Sequence, residues 1–223
     1  MIMGYRPYIA REGWPYIFII LLAALVVNIM AGLIYAIPLW ILSVVFIYIF
    51  RDPERTIPST ALAIVSPVDG DVESVRDIRD PYLERTATAI GMQMKYTGPY
   101  ILRGPIEGKL IKQWQGRMEA GDEIVGANPV IEDQNNKGRR YLAIWVQSDE
   151  GDDVVLILME GNIGFRPRCY VNTGERIGQG RRCGFISFGC RVMVIIPQGS
   201  RNDVTPGDAV IAGSGIIATL LHK

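Results

Sequence analysis

Tyr141-Leu-Ala-Ile-Trp-Val-Gln147, followed by Ser148-Asp-Glu-Gly-Asp-Asp153 and then Val154-Val-Leu-Ile-Leu-Met-Glu160, is the stretch that decides the fold. Two short apolar runs rich in Val, Ile and Trp flank a polar turn that contains glycine. Neither run is long enough, or periodic enough at 3.6 residues, to be a helix of ordinary length. The same pattern extends in both directions. Strands are predicted over Ala63–Val65, Gly70–Val75, Thr88–Met94 and Gly108–Gln113, and again over Gly184–Phe188, Val192–Ile196, Ala209–Ile211 and Ile216–Leu221. Gly, Pro, Asn and Asp punctuate them. The expected fold is therefore mainly β (a β-rich α+β chain), an antiparallel sandwich or barrel over residues 59–223.

The N-terminal part differs. Pro15 to Phe50 is a run of 36 residues with no Asp, Glu, Lys or Arg. As one helix it would be about 54 Å long against a hydrocarbon core of about 30 Å. Two spans turning near Asn28–Gly32 fit better. Arg6 and Arg11 precede the run and Arg51 and Arg55 follow it, so both ends favour the cytoplasm by the positive-inside rule. A signal peptide is the rival, but the run is too long and lacks a small-residue cleavage site. Residues 1–58 are read as a membrane hairpin plus a proline-punctuated linker. The expected location is the cell membrane, with the β-rich domain on the cytoplasmic side.

Composition narrows the chemistry. Formal net charge is zero, which argues against nucleic acid as a partner. Cys169, Cys183 and Cys190 show no Cys-x-x-Cys spacing, and His222 is the single histidine, so no metal site is expected. Proton transfer must rely on Asp, Glu, Lys, Tyr or Cys. Within Gly184–Val192, Gly189-Cys190 places a nucleophilic side chain behind a residue free to form a strained turn, which is what backbone self-cleavage needs. A small buried cysteine on a strand fits the same residues. Thr173–Gly178 and Thr205–Gly213 look alike: each sets an acid after Gly and then a short apolar strand. They resemble turn units of biotin- or lipoyl-carrying domains, but neither has a lysine to take a prosthetic group, and both are read as structural turns.

The chain resembles the short membrane-bound phosphatidylserine decarboxylases and their archaetidylserine relatives. The resemblance rests on Arg11-Glu-Gly-Trp-Pro15, Phe50-Arg-Asp-Pro-Glu-Arg55, Val65-Ser-Pro-Val-Asp-Gly70, Leu102-Arg-Gly-Pro-Ile-Glu-Gly108, Gly174-Glu-Arg-Ile-Gly178 and Phe185-Ile-Ser-Phe-Gly-Cys-Arg-Val192, in that order along nearly the whole length. It implies a proenzyme that cuts itself before a residue which then becomes an N-terminal pyruvoyl group. That carbonyl engages the amine of a phospholipid's serine head group and acts as an electron sink while CO2 leaves. The implied cut falls between Gly189 and Cys190, with Asp69 as a base in processing. The implied partners are a serine phospholipid and the bilayer, with a homo-oligomer as an open possibility.

Two positions depart from the family. Its serine is Cys190 here, and its active-site histidine position is Tyr100, in Gly98-Pro99-Tyr100. A thiol is the better nucleophile. A phenol with an ordinary pKa near 10 donates a proton readily but is a poor base. Tyr100 is thus a hydrogen-bond donor in the reaction, the acid that protonates after CO2 loss, or a filler of the imidazole's space. Arg103 is expected either to bind the lipid's phosphate or carboxylate with its fork or to form a surface pair. Asp69 can equally be a turn residue. Arg166 and Arg168 either attract anionic head groups or belong to a solvated loop. Ser214, in another Gly-Ser pair, lies beyond the implied cleavage position. A decarboxylase and a non-catalytic relative that binds a lipid or a protein both remain open.

Overall fold

The computed structural model describes residues 8–60, 62–117, 138–161, 166–186 and 189–221. The chain forms two compact units, 1–54 and 55–223.

In the first unit α1 (Trp14–Ala31) and α2 (Leu33–Ile49) pack on each other. Pro15 sits in the first turn of α1, where its missing N–H costs nothing. Gly32 separates the helices at φ +93°, a conformation that side-chain-bearing residues avoid. Leu22, Leu25, Ile29, Ile34, Ile41 and Val44 are among the large apolar residues exposed on the pair. α1 has the length and hydropathy to cross a membrane; α2 is one residue shorter and equally apolar. Pro38 is accommodated inside α2.

The second unit is a curled antiparallel β structure. Its strands are β1 (Ala63–Val65), β2 (Gly70–Arg79), β3 (Thr86–Met94), β4 (Ile101–Arg103), β5 (Gly108–Arg117), β6 (Arg140–Gln147), β7 (Asp153–Met159), β8 (Arg168–Cys169), β9 (Arg176–Ile177), β10 (Arg182–Phe185), β11 (Arg191–Pro197), β12 (Arg201–Asn202), β13 (Ala209–Val210) and β14 (Ile216–Thr219). Eight of them form one sheet in the order β13-β2-β3-β11-β7-β6-β5-β9, and two three-stranded sheets run β1-β14-β12 and β4-β10-β8. Every strand expected from the sequence is present, although β2 and β5 run further and the Gly184 strand starts at Arg182. Ser187 and Phe188 of that expected strand lie outside the described residues. The short strands β4, β8 and β12 were not foreseen, and β9 is the short apolar strand expected in the Thr173–Gly178 unit.

The central strands are buried on both faces, which explains their unbroken apolar runs. Met92, Val194 and Leu156 face one side, while Ala89, Met193, Ile195, Val155 and Ile157 form a second cluster roofed by Tyr82, Trp114 and Trp145.

The sheet order has a pseudo-two-fold axis between β11 and β7. β2, β3, β11 and β13 in one half correspond to β5, β6, β7 and β9 in the other. The turns repeat bond for bond. Val65 N–H donates to the Pro105 carbonyl at 2.9 Å, and Arg103 N–H to the Pro67 carbonyl at 3.0 Å. Gly213 N–H reaches Ser66 O and Gly180 N–H reaches Gly104 O, both at 2.8 Å. Val72 and Asp208 are joined as Leu110 and Glu175 are. β2 and β5 even bulge at equivalent places, Val72/Ser74 and Leu110/Lys112. The look-alike segments at Thr173 and Thr205 are the two halves' versions of one turn, each closed by its acid: Glu175 accepts from Asn172 N–H and Asp208 from Thr205 N–H.

Candidate active site

Five chain ends meet at one edge of the β unit. β2 starts there after Asp69, β3 ends at Met94, β4 starts after Tyr100, β10 ends at Phe185 and β11 starts after Gly189-Cys190. Backbone bonds lock them together. Met94 N–H donates to the Cys190 carbonyl at 3.1 Å, Lys95 N–H to the Asp69 carbonyl at 2.9 Å, and Ile186 N–H to the Tyr100 carbonyl at 3.2 Å. Gly98 packs directly on Asp69; a Cβ there would lie 3.2 Å from the Asp69 Cβ. The fold therefore gathers Asp69, Tyr100 and Gly189-Cys190 from three separate parts of the sequence.

Asp69 has a prepared setting. Its Oδ2 accepts from Arg55 Nη2 at 2.6 Å and its Oδ1 from Ala212 N–H at 2.7 Å, and its side chain is 14% exposed. Both oxygens are thereby fixed, and the second bond ties Asp69 to the Gly213 turn.

Gly189 adopts φ +65°, a conformation that favours glycine at the position before the cysteine. Cys190 is fully buried, and its Sγ donates to the Met159 carbonyl at 2.6 Å, on the β7 side of β11. Burial pushes the thiol's pKa up to about 12. Its carbonyl points the other way, to β3. Asp69 is one strand further, so two interstrand spacings of about 4.8 Å put its backbone roughly 10 Å from that of Cys190. The thiol is thus held as a neutral donor on the side away from the carboxylate.

Tyr100 is buried, and its hydroxyl donates to the Tyr96 carbonyl at 2.7 Å. Burial raises its pKa, which keeps the phenol protonated as a hydrogen-bond donor. Arg103, 6% exposed, lies further along β4. Its Nη1 donates to the Gly180 carbonyl at 3.0 Å, and its Cδ lies 2.8 Å from where a Gly213 Cβ would sit. It packs between the two pseudo-symmetric glycine turns, next to the Ala212 that bonds Asp69. Among the described residues no cluster of His, Cys, Asp or Glu converges as a metal site.

Sequence reasoning did not single out Arg55, Ala212 or Met159. Arg55 stands at the end of the Phe50–Arg55 motif, where a cation at a fixed offset before a turn aspartate is a usable signal. Ala212 and Met159 act through backbone atoms, and residue identity carries no trace of that.

The profile of the family described as phosphatidylserine decarboxylase matches residues 42–218. A phosphatidylserine decarboxylase proenzyme of Aromatoleum aromaticum is 39% identical over 215 residues, covering 96% of this chain and 97% of that one. Proenzymes of the same name from Nitrosomonas eutropha and Burkholderia cenocepacia are each 37% identical, over 213 and 217 residues, with 96% of this chain covered. No solved structure matches. With the family profile spanning the end of the second helix and nearly all of the β unit, and the relatives aligned over 96% of the chain, the chain belongs to the phosphatidylserine decarboxylase family.

Proposed function

We propose that this chain is a self-processing decarboxylase of a membrane phospholipid with a serine head group, cut between Gly189 and Cys190. What carries the reading is the meeting of Gly189-Cys190, Asp69 and Tyr100 where strand ends of two sheets come together, in a chain of this family.

The chain's own residues balance the cut. The Cys190 Sγ bonds to the Gly189 carbonyl carbon as the amide C–N bond breaks, and the thiol proton passes to the new amine. Asp69 is the base assigned to this end of the unit. Loss of a Cys190 Cα proton then breaks the Cβ–S bond. Sulfur stays on Gly189 as a thiocarboxylate, and residue 190 becomes dehydroalanine. Water enters and ammonia leaves to give the pyruvoyl end. For attack, Cys190 must turn about χ1 from the Met159 carbonyl toward its own preceding carbonyl, a rotation between staggered wells.

The site fits such a group in that Gly189 is already in a turn that favours glycine and Cys190 precedes a strand, with its carbonyl anchored on β3. A pyruvoyl carbonyl at position 190 supplies the electron sink for CO2 loss. Tyr100, kept protonated by burial, supplies a neutral hydroxyl as a hydrogen-bond donor, and Arg55 and the Ala212 N–H hold Asp69 in one orientation. Arg103 carries the substrate-binding role expected of its guanidinium, with the Gly180 and Gly213 turns as its seat. The two apolar helices serve as the membrane hairpin, with the β unit on the cytoplasmic side of the cell membrane.

A second reading, a relative that keeps the fold and the lipid association without turnover, is favoured by one observation: the buried thiol bonded to Met159. Incubating the purified chain with phosphatidylserine in detergent micelles and trapping CO2 decides between them. Release that disappears in Cys190→Ala supports the enzyme. No release from the wild-type chain supports the relative.

A further inference from the structure

Residues 161–202 hold seven arginines (166, 168, 176, 181, 182, 191 and 201) and one acid, Glu175, in a chain whose net charge is zero. Three of these cations are engaged: Arg176 with Asp149 and Glu107, Arg191 with Glu73, and Arg201 with Asp203. Glu175 is bonded by the backbone and side chain of Asn172. Arg182 is also engaged, over the Tyr170 ring, and with Arg166, Arg168 and Arg181 it belongs to one place, the β8 edge of the β4-β10-β8 sheet and the turn leading into β10.

Along 166–170 exposure alternates, with Arg166, Arg168 and Tyr170 outward and Pro167 buried between them. Tyr170 is 44% exposed, and the Arg182 guanidinium lies 5.5 Å from its ring centroid. Arg181 is exposed beside it, and none of the described residues forms an ion pair with Arg166, Arg168 or Arg181. An edge strand bearing cations is shielded from pairing with other strands, and one or two lysines would achieve that. Three exposed arginines (166, 168 and 181) around an outward tyrosine go further, because guanidinium forks match phosphate oxygens and a tyrosine suits the boundary between water and lipid.

We propose that this edge of the β unit docks on the anionic surface of a phospholipid bilayer, its arginines on lipid phosphates and Tyr170 at the head-group level. The inference rests on the membrane assignment made above but not on turnover. Charge complementarity selects the occupant. Only Phe50–Glu54 separate α2 from Arg55, so a hairpin-anchored chain offers its β unit to the same bilayer at high effective concentration.

Hydrogen–deuterium exchange on the full chain, reconstituted in nanodiscs of phosphatidylcholine alone or with phosphatidylglycerol, tests it. The segments 166–172 and 181–186 are expected to exchange at least about fivefold more slowly on the anionic discs. The difference should vanish at about 1 M salt, where the Debye length is about 3 Å, and in the exposed double variant Arg166→Glu/Arg168→Glu. β3 and β11 should be unchanged throughout. Equal exchange on both lipids, or protection that survives both salt and charge reversal, overturns the proposal. Cys190→Ala, which cannot process, should show the same protection, so a failed decarboxylase reading leaves this result standing and the converse also holds.

Discussion

Gly189-Cys190 and Gly151-Asp152 occupy equivalent turns in the two halves of the β unit. Gly189 has φ +65° and Gly151 φ +93°. The carbonyl of Cys190 accepts from Met94 N–H, and that of Asp152 from Ser148 N–H at 2.8 Å. The turns before β2 and β5, Ser66-Pro-Val-Asp-Gly70 and Gly104-Pro-Ile-Glu-Gly108, match likewise. What each half holds is different. Asp69 is sheltered, with both oxygens bonded, whereas Glu107 stands 67% exposed beside Arg176. The backbone is a scaffold used twice, and the chemistry depends on what approaches it: among the described residues, Arg55 and the Lys95–Tyr100 connection meet the Asp69 copy.

The largest effect expected from this contrast is on processing. Asp69→Asn should slow any cut by about 10²–10⁴-fold, the usual contribution of a positioned base, while Glu107→Gln leaves it unchanged; gel analysis of the two fragments over time reads both. Equal effects would erase the distinction between the halves. Shared geometry should also mean shared fragility. A Cβ on Gly70 meets the Gln93 carbonyl and one on Gly108 meets the Gln147 carbonyl, so Gly70→Val and Gly108→Val should each cost about 1–3 kcal/mol or more through forced backbone shifts. Thermal melts that spare one of them would break the symmetry.

Much of this was legible in the sequence, for a physical reason. Strands buried on one or both faces must be apolar, so β2, β3, β5, β6, β7 and β11 announced themselves. Gly32 and the uncharged run did the same for the helix pair. The two- and three-residue strands β4, β8 and β12 are defined by pairing partners, and no local pattern marks them. Asp69, Tyr100 and Cys190 were found through the family's motifs, but the side to which the thiol turns was not, because the Met159 carbonyl that holds it is a backbone atom from a distant strand. The internal duplication was half visible, in the Thr173 and Thr205 turns. The Ser66 and Gly104 turns carry it equally and went unread as a pair.

Smaller effects sharpen the comparison. Arg55→Ala removes the partner of a sheltered carboxylate and should cost about 1–3 kcal/mol, whereas Arg176→Ala, at an exposed pair, should leave the melting temperature where it is. A pH scan isolates Cys190. Its folded pKa, near 12, lies above the ordinary thiol value of 9.0, so its contribution to stability is complete below about pH 9 and is lost as pH rises toward 12. In uncut protein, Cys190→Ala should therefore lose less stability than wild type across that window, as read by denaturant unfolding; parallel curves would mean that the thiol is not buried in solution.

Intact-mass spectrometry of the purified chain tests the central claim, that sulfur at position 190 takes the place of the family's serine. The account predicts two species. One spans residues 190–223 and begins with a ketone in place of an amine. The other ends at Gly189 as a thiocarboxylate, heavier than the carboxylate by the difference between sulfur and oxygen, or as the carboxylate left by its hydrolysis. A single uncut species of 223 residues, with a Cys190 thiol that alkylates once the protein is unfolded, would contradict it.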